Sequence, residues 1–282
     1  MYGYGFGTVF NNDTGDYVWT NTQAETYYNA LVTANGGDIN SQSLYSITLN
    51  AFKSAIDTFF VTGNTNGWLA DMIIMKMYIG GTAATHAINA INPGTFNTTF
   101  VNSPTHSASG TAYNGTTQYG RWGNNPSTDG TTLTSTSMIS LVTNQTAAGG
   151  TSKVAIGSFN GATQHSYLFR LLTSDVWRWD AFDATSNATS ASTVKDKVTI
   201  GSRIAANDSK IYIDGSSVAS TALSGGNLPT FEDYEMAYNN AGSPAAFMDG
   251  TAQFNAKALG ISSAKVTSLT TAIKNLQTTL NR

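Results

Sequence analysis

The chain has 282 residues and a net charge of −3, with 14 Lys and Arg residues against 17 Asp and Glu residues. Only 11% of the residues are charged, so Ser, Thr, Asn and Gly must form much of the polar surface. The negative charge and the lack of a basic run exclude nucleic acid as a partner. The absence of cysteine excludes disulfides and thiolate metal sites.

Residues 1–19 are predicted to form an N-terminal arm, in which glycine alternates with aromatic residues. Glycine gives such a segment conformational freedom, and its aromatic rings suit docking. Two placements are open, since the arm either docks on a neighbouring subunit or folds onto its own domain. The arm has no basic residue and no long apolar run, so we expect that it is not a secretory signal.

Residues 20–63 show the spacing of two amphipathic helices. The first covers residues 22–34, and a Gly-Gly dipeptide follows shortly after it. The second begins at Ser41 or Ser43, which would serve as the N-cap, and extends to Phe60. This helical hairpin has a wide apolar face that needs a cover. The cover is either the following β region or a second copy of the hairpin.

Residues 69–79 form the most apolar run and are predicted to be a buried strand. Asp71 and Lys76 interrupt the run, and it is too short to cross a bilayer, so we expect no membrane partner. Its three methionines are predicted to pack in the core. Thioether sulfur binds soft metals, and no cysteine is present to complete such a site.

Strand-length segments then recur at regular spacing with turn residues between them. This pattern is typical of a mainly β sandwich of antiparallel sheets. The predicted strands cover residues 137–143, 153–159, 166–172, 175–182, 231–238 and 252–259.

Residues 198–220 predict a meander of three antiparallel strands. Residues 207–209 are predicted to form its first turn. Asp214-Gly215 suits a type I′ turn, because both central residues of that turn need positive φ. A last helix begins with Ser262 or Ser263 as its cap, and its apolar stripe is expected to pack against an edge or end of the sandwich.

Several segments after residue 68 resemble one family in their order and spacing. Tyr212-Ile213-Asp214-Gly215 resembles the hairpin of concanavalin A-like, or laminin G-like, jelly-roll domains. Other segments resemble structural proteins of tailed bacteriophages of Bacteroidetes hosts, namely residues 80–86, 92–93, 105–110, 114–116, 126–128 and 276–282. The resemblance implies a jelly roll over residues 64–282 that is closed by the C-terminal helix, in a protein of the virion.

Asp233 and Glu235 are the candidate catalytic pair, because alternate carboxylates lie on the same face of a strand, as retaining glycoside hydrolysis requires. Their spacing with Glu232 differs from the E-x-D-x-E pattern of jelly-roll hydrolases of the laminarinase type. We therefore predict a solvated strand, no catalytic residue and no enzymatic activity.

A carbohydrate site is predicted where an aromatic loop also carries amide side chains. Aromatic rings stack on sugar faces, and amides bind hydroxyl groups. The candidate residues are Tyr119, Arg121, Trp122, Asn124 and Asn125.

Trp177 and Trp179 share one face of a predicted strand and are predicted to lie in the core, while Arg178 and Asp180 share the other face.

No metal or other cofactor is expected. The histidines His86, His106 and His165 are far apart in sequence and have no ligand spacing, so a hydrogen-bonding role in the loops is expected for the first two. Asp208, Asp214 and Asp249 are interpreted as turn residues rather than calcium ligands.

The main hypothesis is a virion structural protein on the surface of a tailed phage particle, either a head decoration or fibre protein or a tail fibre component. Its expected partners are capsid or tail proteins and further copies of the chain, since a symmetric homo-oligomer is expected. The alternative is an adhesin that recognises host surface glycan. A glycoside hydrolase is the third hypothesis.

Overall fold

The computed structural model describes residues 17–160, 166–182, 188–190, 195–222 and 226–282. Within these ranges the chain is mainly β, with two largely antiparallel sheets and helices near both ends, as the sequence predicts. The helices are α1 Thr22–Asn35, α2 Ser41–Tyr45, α3 Leu49–Thr65, α4 Ala83–His86 and α5 Ser263–Thr279. The predicted arm lies outside the described residues except for residues 17–19, and His165 lies outside them as well.

The first sheet has the strand order β13-β12-β11-β6-β17-β4-β3, and β1 pairs with β17 beside this path. Its strands are β1 Met72–Lys76, β3 Thr105–Ser107, β4 Gly110–Asn114, β6 Thr136–Thr143, β11 Thr199–Ala205, β12 Asp208–Ile213, β13 Ser216–Thr221 and β17 Asp249–Ala258.

The second sheet has the strand order β10-β9-β8-β7-β14-β5-β2, and the β15–β16 hairpin joins it through β7. Its strands are β2 Thr99–Val101, β5 Tyr119–Arg121, β7 Lys153–Phe159, β8 Ser166–Leu171, β9 Trp177–Ala181, β10 Ala188–Thr189, β14 Tyr234–Glu235, β15 Tyr238–Asn240 and β16 Ser243–Ala245.

The predicted second helix of the hairpin is two helices. Ser46 adopts a left-handed conformation with φ 57° and ends α2. The hydroxyl of Thr48 then accepts a hydrogen bond from the backbone N–H of Ala51 and caps α3. The N-cap of α2 is Asn40, so neither predicted serine has that role. A left-handed residue cannot continue a helix, and this explains the break.

The apolar face of the hairpin packs on the first sheet, which decides between the two predicted covers. Phe59 of α3 lies 5.9 Å from Phe254 of β17, measured between ring centroids. The buried stripe of α5, including Leu269 and Ile273, belongs to the same hydrophobic cluster. Residues from α1, α3, α5 and the first sheet therefore form one core.

The first sheet is buried on both faces, because the helices cover one side and the second sheet covers the other. In β6, Ile139 and Leu141 face the helices, while Met138 and Val142 face the second sheet. This double burial explains why residues 137–142 are all buried, including the polar Ser137 and Ser140.

A bulge in β17 turns polar residues toward the space between the sheets. The register with β6 shifts between Ala252 and Phe254, so that Phe254 faces the helices while Ala252 faces the second sheet. Alternation then continues, and Asn255 and Lys257 are directed between the sheets.

Three local predictions for the first sheet have different outcomes. The meander of β11, β12 and β13 is present, and Asp214 and Gly215 have φ of 48° and 86°, as a type I′ turn requires. The β11–β12 turn lies at residues 206–207, one position before the predicted one. The predicted strand of residues 69–79 is shorter, because Leu69–Asp71 is a 3-10 turn and Tyr78 has φ 46°.

We expect Phe59→Ala to lower the free energy of unfolding by about 3–5 kcal/mol, because it removes a buried ring that joins the helices to the first sheet. Urea denaturation should show one transition for the whole chain. The control is Val18→Ala at an 85% exposed position, where we expect a change within about 0.5 kcal/mol. A Phe59→Ala variant as stable as the parent would contradict the shared core.

Candidate functional site

Glu235 is fully buried between the two sheets, whereas the sequence predicted a solvated strand. Its carboxylate accepts hydrogen bonds from Tyr78 Oη at 2.5 Å, Tyr113 Oη at 2.7 Å and Trp122 Nε1 at 2.6 Å. Gly120 lies opposite on β5, and a Cβ there would lie 2.5 Å from Glu235 Oε1. Glycine is therefore the residue that leaves room for the carboxylate.

Asp233 belongs to a second buried group beside the first. Its carboxylate accepts hydrogen bonds from Asn124 Nδ2 at 2.7 Å and Ser158 Oγ at 2.7 Å, and it forms an ion pair with Lys257 at 2.9 Å. Lys257 also pairs with Asp129 at 2.6 Å. These paired charges meet the requirement that a buried carboxylate be compensated.

Asp233 and Glu235 do share a face, but that face is closed to substrate. Both residues have no exposed surface, and general acid or nucleophilic catalysis requires contact with the reacting bond. Burial and the negative charge of Glu235 raise the pKa of Tyr78 and of Tyr113 far above the usual tyrosine range. Burial lowers the pKa of Lys76 to about 7, against the attraction of Glu235. We interpret this group as a structural network.

Trp122 is the main correction to the predicted carbohydrate site. It was predicted to be exposed for stacking on sugars, but it is fully buried and donates its indole N–H to Glu235. Asn124 is also buried and is engaged with Asp233 through both ends of its amide. Alternation explains this, because Trp122 directly follows the end of β5 and points inward like Gly120, two residues before it.

The outward side chains of β5 and β14 line an open depression on the outer face of the second sheet. Its volume is about 600 Å³. Tyr119, Arg121, Asn124 and Asn125 of the predicted site lie there, and the sequence interpretation missed the rest of its lining. The lining contains Tyr119, Arg121, Gly123, Asn124, Asn125, Thr230, Phe231, Glu232, Tyr234, Asn239 and Gly242.

Arg121 and Glu232 form an ion pair in this depression. Arg121 donates to Glu232 Oε1 from Nε at 2.8 Å and from Nη2 at 2.5 Å. The other oxygen, Oε2, accepts the backbone N–H of Gly123 at 2.9 Å. The side chain of Arg121 is 48% exposed and that of Glu232 is 16% exposed. The pair therefore offers solvent a donor beside an acceptor at a fixed position.

Aromatic rings support the depression from beneath. The ring of Tyr119 lies 4.8 Å from that of Tyr234 and 6.0 Å from that of Phe247, between centroids. Tyr119 and Tyr234 are buried, while Phe231 is half-buried. No sequence motif joins these segments, because the register pairs Tyr234 with Arg121 across more than 100 residues.

The remaining candidates have structural positions. Trp177 and Trp179 are buried in the core between the sheets, as predicted. Arg178 forms an ion pair with Asp180 at 2.6 Å. In the described part of the chain, no group of three or more His, Asp or Glu residues is placed to hold a metal ion.

His86 and His106 meet, although they are distant in sequence. Their Nδ1 atoms lie 3.2 Å apart, and both approach the hydroxyl of Thr111, at 2.8 Å from His86 and 3.1 Å from His106. His86 Nε2 accepts the backbone N–H of Gly81. Burial, His106 and Arg282 hold the pKa of His86 well below its usual value. The ring is therefore neutral in the folded protein.

Comparison with known proteins gives a likeness of fold. A scan against protein-family models and a search of curated proteins found no match. Among solved structures, the sialidase of Trypanosoma rangeli with 2,3-difluorosialic acid has 14% identity and a TM-score of 0.50, over 79% of this chain and 38% of the sialidase. The same sialidase with sialic acid has 12% identity and a TM-score of 0.50, over 76% of this chain and 38% of the sialidase.

A smaller solved domain is also similar. The CBM40 domain of a Ruminococcus gnavus IT-sialidase has 8% identity and a TM-score of 0.37, over 49% of this chain and 83% of that domain. The chain spans less than half the length of the Trypanosoma rangeli sialidases that it matches.

These findings correct the expectation that the protein is not an enzyme. Two of the solved structures that it resembles are of a sialidase, which is a glycoside hydrolase, so a similar arrangement of strands also occurs in enzymes. At this identity the likeness shows the fold and assigns no activity. The β-sandwich part of the sequence resemblance is confirmed, while its phage part is a proposal. No helix among the described residues is long and apolar enough to cross a membrane.

We expect Trp122→Phe to lower the free energy of unfolding by about 1–3 kcal/mol, because the buried Glu235 carboxylate would lose one donor while an aromatic ring remains. Urea denaturation measures the change. Arg121→Ala is the control at the neighbouring position, where removal of an exposed ion pair should cost no more than about 1 kcal/mol. Equal stability of Trp122→Phe and the parent would contradict the burial of this group.

We expect the protein to lose stability as the pH falls below about 6.5, the ordinary histidine pKa. Below that pH, His86 binds a proton in the unfolded chain but not in the folded protein. The free energy of unfolding therefore falls by up to about 1.4 kcal/mol per pH unit. Urea titrations from pH 7.5 to 5 should show that the free energy of unfolding depends less on pH in His86→Asn than in the parent. An unchanged slope in that variant would show that another group is responsible.

Proposed function

We propose that the protein binds carbohydrate in the depression on the outer face of the second sheet. The exposed Arg121–Glu232 ion pair carries this proposal, because it places hydrogen-bond donors beside acceptors above an aromatic floor. Sugar rings present hydroxyl groups along their edges and C–H groups on their faces. Polar groups over an apolar surface match that pattern.

The size and rigidity of the site support the proposal. A depression of about 600 Å³ lies within the range of ~300–1,000 Å³ that is usual for small-molecule sites. Glu232 is fixed by Gly123 and by Arg121, and Asn239 donates to the backbone carbonyl of Glu232 at 3.0 Å. Because these groups are already held in place, binding needs little ordering of side chains.

We further propose that this binding takes place on the surface of a tailed phage particle, in a symmetric oligomer of the chain. The sequence resemblance supports the setting, and several weak sites on one oligomer would raise the apparent affinity for a polysaccharide. Light scattering tests the oligomer, and a mass of one 29.8 kDa chain would rule it out.

The binding proposal is tested with a panel of purified oligosaccharides and bacterial polysaccharides, using calorimetry for affinity. We expect Arg121→Ala to weaken binding at least ~10-fold, which is about 1.4 kcal/mol, without lowering the melting temperature by more than a few degrees. Loss of the guanidinium removes the donors and releases Glu232.

The matched control is Lys274→Ala, which removes an equally exposed cation from α5, a helix of the layer that covers the first sheet. This variant should bind like the parent. Failure of the parent to bind any member of the panel, or equal affinity of Arg121→Ala, would overturn the proposal. The same samples should be assayed for released reducing ends, because the fold also occurs in hydrolases.

A further inference from the structure

We propose that the depression selects uncharged carbohydrate, because Glu232 neutralises the cation that an acidic sugar would need. This inference rests on the proposed function, whose site and ligand class it makes more specific. It is carried by the geometry of the Arg121–Glu232 pair and by the composition of the lining.

The pair has no net charge and cannot easily separate. Arg121 contacts Glu232 Oε1 through two nitrogens, while Gly123 N–H holds Oε2. The carboxylate therefore stays beside the guanidinium when a ligand approaches. Among the lining residues, all of which are described, Arg121 and Glu232 are the charged ones.

The neighbouring phenol of Tyr234 adds no charge. Tyr119 and Tyr234 lie under the pair, and burial followed by the effect of Glu232 raises the pKa of Tyr234. Tyr234 is therefore neutral at physiological pH. The depression as a whole therefore has no net charge.

A carboxylate-bearing sugar would gain little from this site. Its anion would be attracted by Arg121 and repelled by Glu232 at a similar distance, so the two effects nearly cancel. The anion would still lose part of its hydration on entering the depression. An ion that is desolvated without a net partner is disfavoured.

Uncharged hydroxyl groups avoid that conflict. A guanidinium has five N–H groups, and the contacts with Glu232 use two of them. A sugar hydroxyl can accept from a remaining N–H and donate to the Glu232 carboxylate at the same time. Both hydrogen bonds are charge-assisted, and neither requires the ion pair to open.

The test compares the parent with Glu232→Gln on paired ligands, a neutral oligosaccharide and its uronic acid counterpart of the same linkage. We expect the parent to bind the neutral ligand at least ~10-fold more tightly than the acidic one, with little dependence on salt. In Glu232→Gln the amide oxygen keeps an acceptor, and the positive charge of Arg121 becomes available. We expect affinity for the acidic ligand to rise at least ~10-fold in that variant.

Asp214→Asn is the matched control, because it makes the same change of net charge at the β12–β13 turn, which lies in the other sheet. Asn-Gly also suits the type I′ turn there. A parent that binds no sugar at all would overturn the proposed function. A parent that prefers the acidic ligand would overturn the neutral selectivity and leave carbohydrate binding in place. The same conclusion follows if Glu232→Gln and Asp214→Asn bind the acidic ligand with equal affinity.

Discussion

The burial of Asp233 and Glu235 between the two sheets is the constraint on which the rest of the structure depends. An uncompensated carboxylate in a protein interior is very costly, so every nearby element must supply a donor or a cation. Tyr78, Tyr113 and Trp122 surround Glu235 from three different segments of the chain. The network therefore fixes how the sheets face each other as well as their separation.

The same constraint forms the surface site. Residues on a strand alternate between faces, so an inward Glu235 places Tyr234 outward, and an inward Gly120 places Tyr119 and Arg121 outward. The pairing of β5 with β14 brings these outward residues side by side. The interior charge network and the exterior depression are thus two faces of the same pair of strands.

The bulge in β17 has a comparable effect on the opposite sheet. It allows Phe254 to complete the core under the helices while Lys257 reaches Asp129 and Asp233 between the sheets. Without the shift of register, alternation would put Phe254 on the same face as Ala252, between the sheets, and would turn Lys257 toward the helices. One extra residue therefore serves an apolar core and a polar network in the same strand.

A sandwich of this kind supports more than one function. The likeness to sialidases at 12–14% identity concerns the arrangement of strands, and function depends on the side chains placed on that arrangement. Here the alternate carboxylates of the β14 segment are enclosed, and the depression exposes an ion pair on an aromatic support. We therefore argue function from the depression rather than from the fold.

The sequence by itself determined the local features: the C-terminal helix, the Asp214-Gly215 turn and the sandwich class, because periodicity and turn residues act over a few positions. It also placed Tyr119, Arg121 and Asn125 in one segment. Only the tertiary structure decided that Trp122 is buried, that Glu235 needs it as a donor, and that Glu232 meets Arg121. Those facts depend on pairing between strands that are distant in sequence. Local alternation divides the side chains between two faces but does not indicate which face another sheet or helix buries.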